Sequence, residues 1–240
     1  NDNILHIGYN DGILHDACRL GNLDVIQYVL SLPGISSKNI TMDMVCSALS
    51  PGHRHIIKYF FDPQGPVQLT AKNVRDDNME IMRSAAFGGH DQIFLYLFET
   101  LKLTTQDIRC DDNKILISAI SQGQLKVVKC LFETAGLTIA DARAHGNSAL
   151  NVAAKCGKAD IIIYLIEHLN MCVSDVMSIR RENEQQGAGR GLNKLGDYLI
   201  RICYDNKLQL RNRKMSFNEV LAQIKDECQI PCINPQLPAN

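Results

Sequence analysis

The sequence predicts an all-α chain, a solenoid of stacked helix-turn-helix units with a helical C-terminal cap. Three observations carry that expectation. A small residue precedes a glycine by four positions five times: Ala17, Ala48, Ala85, Ala119 and Ala153 stand before Gly21, Gly52, Gly89, Gly123 and Gly157, and both series step by 31, 37, 34 and 34 residues. Aliphatic pairs keep the same register, as Val25-Ile26, Ile56-Ile57, Ile93-Phe94, Val127-Val128 and Ile161-Ile162. A second apolar pair follows each, as Val29-Leu30, Phe60-Phe61, Leu97-Phe98, Leu131-Phe132 and Leu165-Ile166. Internal repetition at this period is the signature of units that stack.

Each unit reads as two short antiparallel helices. In the fourth, Lys114–Gln122 forms the first helix, with Ile115, Leu116, Ala119 and Ile120 at helical spacing. Leu125–Thr134 forms the second, with Val127, Val128, Leu131 and Phe132 on one face. Gly123 suits the tight turn between them, where a positive φ is needed. The same pattern places helix pairs near residues 12–31, 43–62, 80–99, 114–134 and 148–168. No unit buries its apolar face alone, so neighbouring units must cover it.

These residues resemble the ankyrin repeat. The nearest stretch is Gly146-Asn-Ser-Ala-Leu-Asn-Val-Ala-Ala-Lys-Cys-Gly157; the first unit keeps Leu14-His15-Asp16-Ala17 and the third keeps Ala85-Ala86-Phe87-Gly88-Gly89-His90. The tetrapeptide that opens the family's first helix is degenerate at Asp43–Cys46, Glu80–Arg83 and Lys114–Ile117. The resemblance covers residues 11 to 170, five repeats within a first region of 1–170. It implies a protein-binding scaffold and structural roles for His15, Asn151 and His90.

The connectors repeat as well. Leu69–Arg75, Leu103–Arg109 and Leu137–Arg143 share the pattern L-T-x-x-[DN]-x-R. In the family this stretch leads into a hairpin finger, whereas Thr with Asp three residues on can form a capping box for an extra helical turn. Arg75, Arg109 and Arg143 should align in a column, either pairing with the nearby Asp series or facing a ligand. The connector style resembles the long ankyrin arrays of amoeba-infecting bacteria, such as Legionella-type effectors, and of giant viruses.

Beyond residue 170 the same step maps Gly157 onto Gly191 and Leu165-Ile166 onto Leu199-Ile200. Residues 171–230 therefore read as a degenerate sixth repeat and capping helices, with Ser216-x-x-Glu219 as a capping box. Residues 231–240, with three prolines, read as a tail or linker. Gly187–Gly191 lacks the preceding strand and following Lys-Ser/Thr of a phosphate loop.

Twenty-five Lys and Arg against 26 Asp and Glu give a net charge of −1, which removes the long-range field that drives nucleic-acid or anionic-membrane binding. The basic turn Lys207–Lys214 lacks an aromatic stacker and reads as a solvated loop. Nine cysteines without a CxxC pair point to reduced thiols and a cytoplasmic setting, inside a host cell if the lineage likeness holds. Cys18, Cys46 and Cys130 occupy core registers. No constellation for catalysis, a cofactor or a metal stands out, and His53-x-His55 and Cys228-x3-Cys232 each lack the companion ligands a metal site requires.

The family resemblance places a partner on the concave face made by connector tips and first helices. The positions are Arg19, Leu20, Asp76, Asp77, Met79, Phe87, Asp111, Asn113, Gln122, His145, Asn147 and Lys155. Phe87 is the expected anchor, and Asp76-Asp77 with Asp111-Asp112 favour a basic partner segment. A monomer is expected. The alternative is a substrate-recruiting arm of an enzyme whose catalytic part lies in 171–240 or beyond.

Overall fold

The computed structural model describes residues 2–169 and 171, and the expected sixth repeat, cap and tail lie outside them. Twelve α-helices and one 3-10 turn make up the described residues, with no strand among them. In chain order the helices are α1 (Asp2–Leu20), α2 (Leu23–Leu30), α3 (Met42–Leu49), α4 (Arg54–Phe61), α5 (Ala71–Asp76) and α6 (Glu80–Gly88). They continue with α7 (Asp91–Thr100), α8 (Thr105–Ile108), α9 (Cys110–Gln122), α10 (Leu125–Glu133), α11 (Ile139–Lys155) and α12 (Ala159–His168). The chain divides into two compact units, Asn1–Asp141 and Ala142–Asn240, and α11 runs across the division.

In the first unit the first helices pack in the order α1, α3, α6, α9, and the second helices α4, α7 and α10 pack behind them. The apolar pairs explain the order. Ile56, Ile57, Phe60 and Phe61 of α4, Ile93, Phe94 and Leu97 of α7, and Val127, Val128 and Leu131 of α10 are all buried. Met44, Val45 and Leu49, then Ile81, Met82 and Ala86, then Ile115, Leu116 and Ile120 fill the space from the first helices.

The alanine-to-glycine spacing has a specific cause in the helix ends. After each turn glycine the next amide returns to the alanine carbonyl: Asn22 to Ala17 at 2.9 Å, His53 to Ala48 at 3.0 Å, His90 to Ala85 at 3.0 Å and Gln124 to Ala119 at 2.9 Å. The glycine amide bonds one residue further on, as Gly123 to Ile120 at 3.0 Å. This is the Schellman closure of a helix, which needs a left-handed residue at the glycine position. Gly89 at φ 75° and Gly123 at φ 81° supply it. Alanine at the acceptor position is buried in each of the four first helices, where a larger side chain would hold the next helix away.

The connectors take the helical alternative rather than a hairpin finger. Thr70 with Asn73 caps α5, and Thr104 with Asp107 caps α8. Thr138 donates to Asp141 through its amide at 2.7 Å and its hydroxyl at 3.0 Å. Ser36 with Asn39 builds the same box around the 3-10 turn Ser37–Asn39. Val74 and Ile108 bury the inner side of these turns.

The arginine column resolves at two positions as ion pairs that reach one repeat onward. Arg75 donates to Asp107 at 2.6 and 2.9 Å, and Arg109 donates to Asp141 at 2.7 and 2.9 Å. Each carboxylate therefore accepts from its own capping threonine and from the preceding arginine. The arginine, followed by the threonine bonds, holds the Asp107 and Asp141 carboxyls below the usual carboxylate range. Where the preceding repeat carries Thr41 at the arginine position, the box residue is the neutral Asn73. Arg143 is exposed.

In the second unit Lys158 returns to the Ala153 carbonyl at 2.8 Å, the same helix closure. Ile161, Ile162, Tyr164, Leu165 and Ile166 of α12 are buried, and Tyr164 stacks on His168 with ring centroids 4.8 Å apart.

Because these carboxyls titrate below their ordinary value of about 3.9, their stabilisation is complete above that pH and fades as the pH falls toward the lowered native value. Asp107→Asn keeps the cap, as Asn73 does, and removes the charge. It should cost about 1 kcal/mol or less near neutral pH, since solvent screens the exposed arginine. It should also flatten the acid limb of stability measured by denaturant titration between about pH 4 and pH 2. An unchanged acid limb would show that the pair does not contribute.

Candidate functional site

The side of the first helices turned away from the second helices is the surface left open. On α6, Ile81, Met82, Ala85 and Ala86 point inward, so Glu80, Arg83, Ser84 and Phe87, at i, i+3, i+4 and i+7, share the outer face. They line a shallow hollow of about 400 Å³ together with Gly88, Ser50 from the end of α3 and Ser118 of α9. Phe87 is 53% exposed at one end of it. Arg83 is paired with Glu80, whose other carboxylate oxygen accepts from Ser84 at 3.3 Å. The hollow is thus a row of hydroxyls and one satisfied ion pair, ended by an aromatic ring.

Carboxylates also stand near Cys46 of α3. Asp43 and Asp77 lie close enough to Cys46 to act on its thiol, which burial and these carboxylates push up to about 11. Asp43 is exposed, with His15 Nε2 at 3.4 Å from its carboxylate. Lys114 donates to Asp111 at 2.9 Å and holds that carboxyl below its usual range.

The expected partner positions divide on exposure. Leu20 is 66% exposed, and Arg19 beside it bonds Asp16 at 3.2 Å. Asp76, Asp111 and Gln122 are exposed, and Asp77 is half-buried. Two expectations are corrected. Met79 is only 3% exposed and Asn113 only 7%, so neither offers its side chain to a partner. Met79 stands immediately before α6 and Asn113 at a kink inside α9, both in left-handed backbone, φ 60° and 61°, and that turn swings the side chain into the core. In the second unit His145 and Lys155 are exposed, while the side chain of Asn147 is outside the described residues. Glu80, Arg83, Ser84 and Ser118, which line the hollow, were not among the expected positions. Their signal was the polar face of an amphipathic helix.

Four histidines bond across neighbouring repeats. His53 Nε2 donates to the Arg19 carbonyl at 3.1 Å, His55 to Gly21 at 3.0 Å and His90 to Ser50 at 3.3 Å. Gln124 does the same to the Phe87 carbonyl at 3.2 Å. His15 bonds Ser47 at 2.8 Å. Burial pushes the Cys18 thiol up to about 12 and raises Cys110 and Cys130 as well, the reverse of what activates a nucleophile. Among the described residues no group of three His, Cys, Asp or Glu side chains could hold a metal ion. No described helix is long and apolar enough to cross a membrane.

Residues 82–176 match the family model for ankyrin repeats, three copies. No curated protein and no solved structure matches the chain. Residues 82–176 are thus similar to ankyrin repeats, which are generally protein–protein interaction modules, and the all-helical arrangement of the described residues is consistent with an ankyrin solenoid. The likeness to arrays of amoeba-infecting bacteria and giant viruses rests on the connectors alone.

Thiol accessibility should follow these packing positions. With a soluble alkylating reagent at mildly alkaline pH, peptide mass spectrometry should find exposed Cys156 modified at once and buried Cys18 only on unfolding. Equal rates at the two would contradict the placement of Cys18 in the core.

Proposed function

We propose that the chain is a protein-interaction scaffold that acts by binding and not by catalysis, its partner lying across the first helices and connector tips. Five repeats within 1–170 supply the array, with 171–230 as its degenerate sixth repeat and cap. The observation that carries the reading is Phe87: a large apolar ring held half in solvent, at the end of a hollow, in a helix whose other apolar residues are buried. Anchors of this kind, set in a polar surround, are where binding energy concentrates. Arg19, Leu20, Asp76, Asp77, Asp111 and Gln122 form the surround in the first unit on the same reading, and His145 and Lys155 are contact positions of the second unit by itself. The carboxylates favour a basic partner segment. The chain works as a monomer in the cytoplasm, and inside a host cell as a secreted effector if the connector likeness reflects lineage.

Affinity capture from candidate lysates, comparing the chain with Phe87→Ala, tests this. Loss of an anchor should weaken capture by tenfold or more, about 1.4 kcal/mol per decade, with the melting temperature nearly unchanged. Asp76→Lys should weaken it too. Capture that survives both substitutions would rule out this face.

A further inference from the structure

The second helices carry a different surface, behind the first helices. Arg54 and Lys58 of α4 stand one helical turn apart, and both are exposed. Each is held by a neutral group of α7. Arg54 donates to the Gln92 amide oxygen at 2.7 Å, and the Lys58 ammonium lies 5.7 Å from the centre of the Tyr96 ring. Cations elsewhere in the first unit behave otherwise: Arg19, Arg75, Arg83, Arg109 and Lys114 each pair with a carboxylate. No ion pair involves Arg54 or Lys58 among the described residues. Asp62, one turn beyond Lys58, accepts from the Gln64 amide at 2.9 Å instead. Arg54 and Lys58 are therefore positioned without being neutralised. A guanidinium that gives one hydrogen bond and an ammonium resting on a ring keep their charge and most of their donors.

The sign and spacing of these charges define what fits. We infer that the seam between α4 and α7 docks an acidic segment of a partner protein, one carboxylate meeting Arg54 and a second meeting Lys58. Four residues of helix rise about 6 Å, and alternate side chains of an extended chain stand about 6–7 Å apart. Asp or Glu at alternate positions of the segment therefore reaches both cations from one side, and charge complementarity selects it over a basic segment. A nucleic acid fits less well. Two phosphate contacts release few counterions, and Lys58 already lies over the Tyr96 ring on which a base would stack. This site lies apart from the Phe87 hollow and prefers the opposite charge, so it stands independently of the first-helix face.

Random peptides about twelve residues long, displayed on phage and selected on the full chain carrying Phe87→Ala, test this; that length spans about 40 Å extended, more than the α4 row needs. Enriched peptides should carry Asp or Glu at alternate positions. Synthesised and followed by fluorescence anisotropy, they should bind the unaltered chain and Phe87→Ala alike, and weaken with added salt. They should lose about tenfold in affinity to the double variant Arg54→Gln, Lys58→Gln. The charge-keeping double variant Arg54→Lys, Lys58→Arg should retain most of the binding, and thermal melts check that each variant is folded. Peptides without an acidic excess, or acidic peptides that bind the glutamine variant equally well, would overturn the inference. So would a single-stranded thymidine oligonucleotide of about twenty residues that depends on the two cations more strongly than any selected peptide, since the occupant would then be a nucleic acid.

Discussion

The first helices α1, α3 and α6 each end in a carbonyl group that the next repeat closes. The carbonyls of Arg19, Ser50 and Phe87 occupy the same place in successive helices, two residues past the closing alanine. They accept from His53, His90 and Gln124, each the residue after the following repeat's turn glycine. A repeat without its successor thus loses these bonds at its helix ends as well as the cover of its apolar face. At the connector edge Asp107 and Asp141 are reached by the arginine of the repeat before. Polar joints therefore fix the stacking register, which apolar contact alone specifies loosely.

That arrangement also decides where binding chemistry can sit. The turn glycines and their capping histidines occupy one edge of the stack, the Arg–Asp–Thr clusters occupy the connector edge, and the second helices fill the back. The outer face of α6 carries Glu80, Arg83, Ser84 and Phe87, of which Ser84 also bonds Cys46 of α3 while the Phe87 ring is exposed. Phe87 shows the division within one residue: its carbonyl belongs to the joint with Gln124, while its ring faces solvent.

Much of this was legible in the sequence because the joints are periodic. The alanine-to-glycine step is the Schellman geometry written in residues, since the acceptor and the left-handed position are always four apart. The L-T-x-x-[DN]-x-R pattern contained both partners of the capping box and the arginine that clasps the next one. Asp for Asn at its fifth position tracks whether an arginine precedes it: Thr41 goes with Asn73, Arg75 with Asp107, Arg109 with Asp141. The candidate site was less legible. Met79 and Asn113 look like connector-tip residues by position, but their backbone is left-handed, which no propensity rule assigns to methionine. The hollow was missed because it is made of serines and a charged pair, residues that any solvated helix face carries.

The central claim is that the first-helix face binds and the rest of the molecule holds that face in place. Hydrogen–deuterium exchange of the full chain, with and without a partner whose capture depends on Phe87, measures this directly. The account expects added protection over residues 80–88 and 110–118, with the second helices unchanged. Protection confined to residues 54–61 and 91–100 would place the partner on the opposite side of the stack and contradict it.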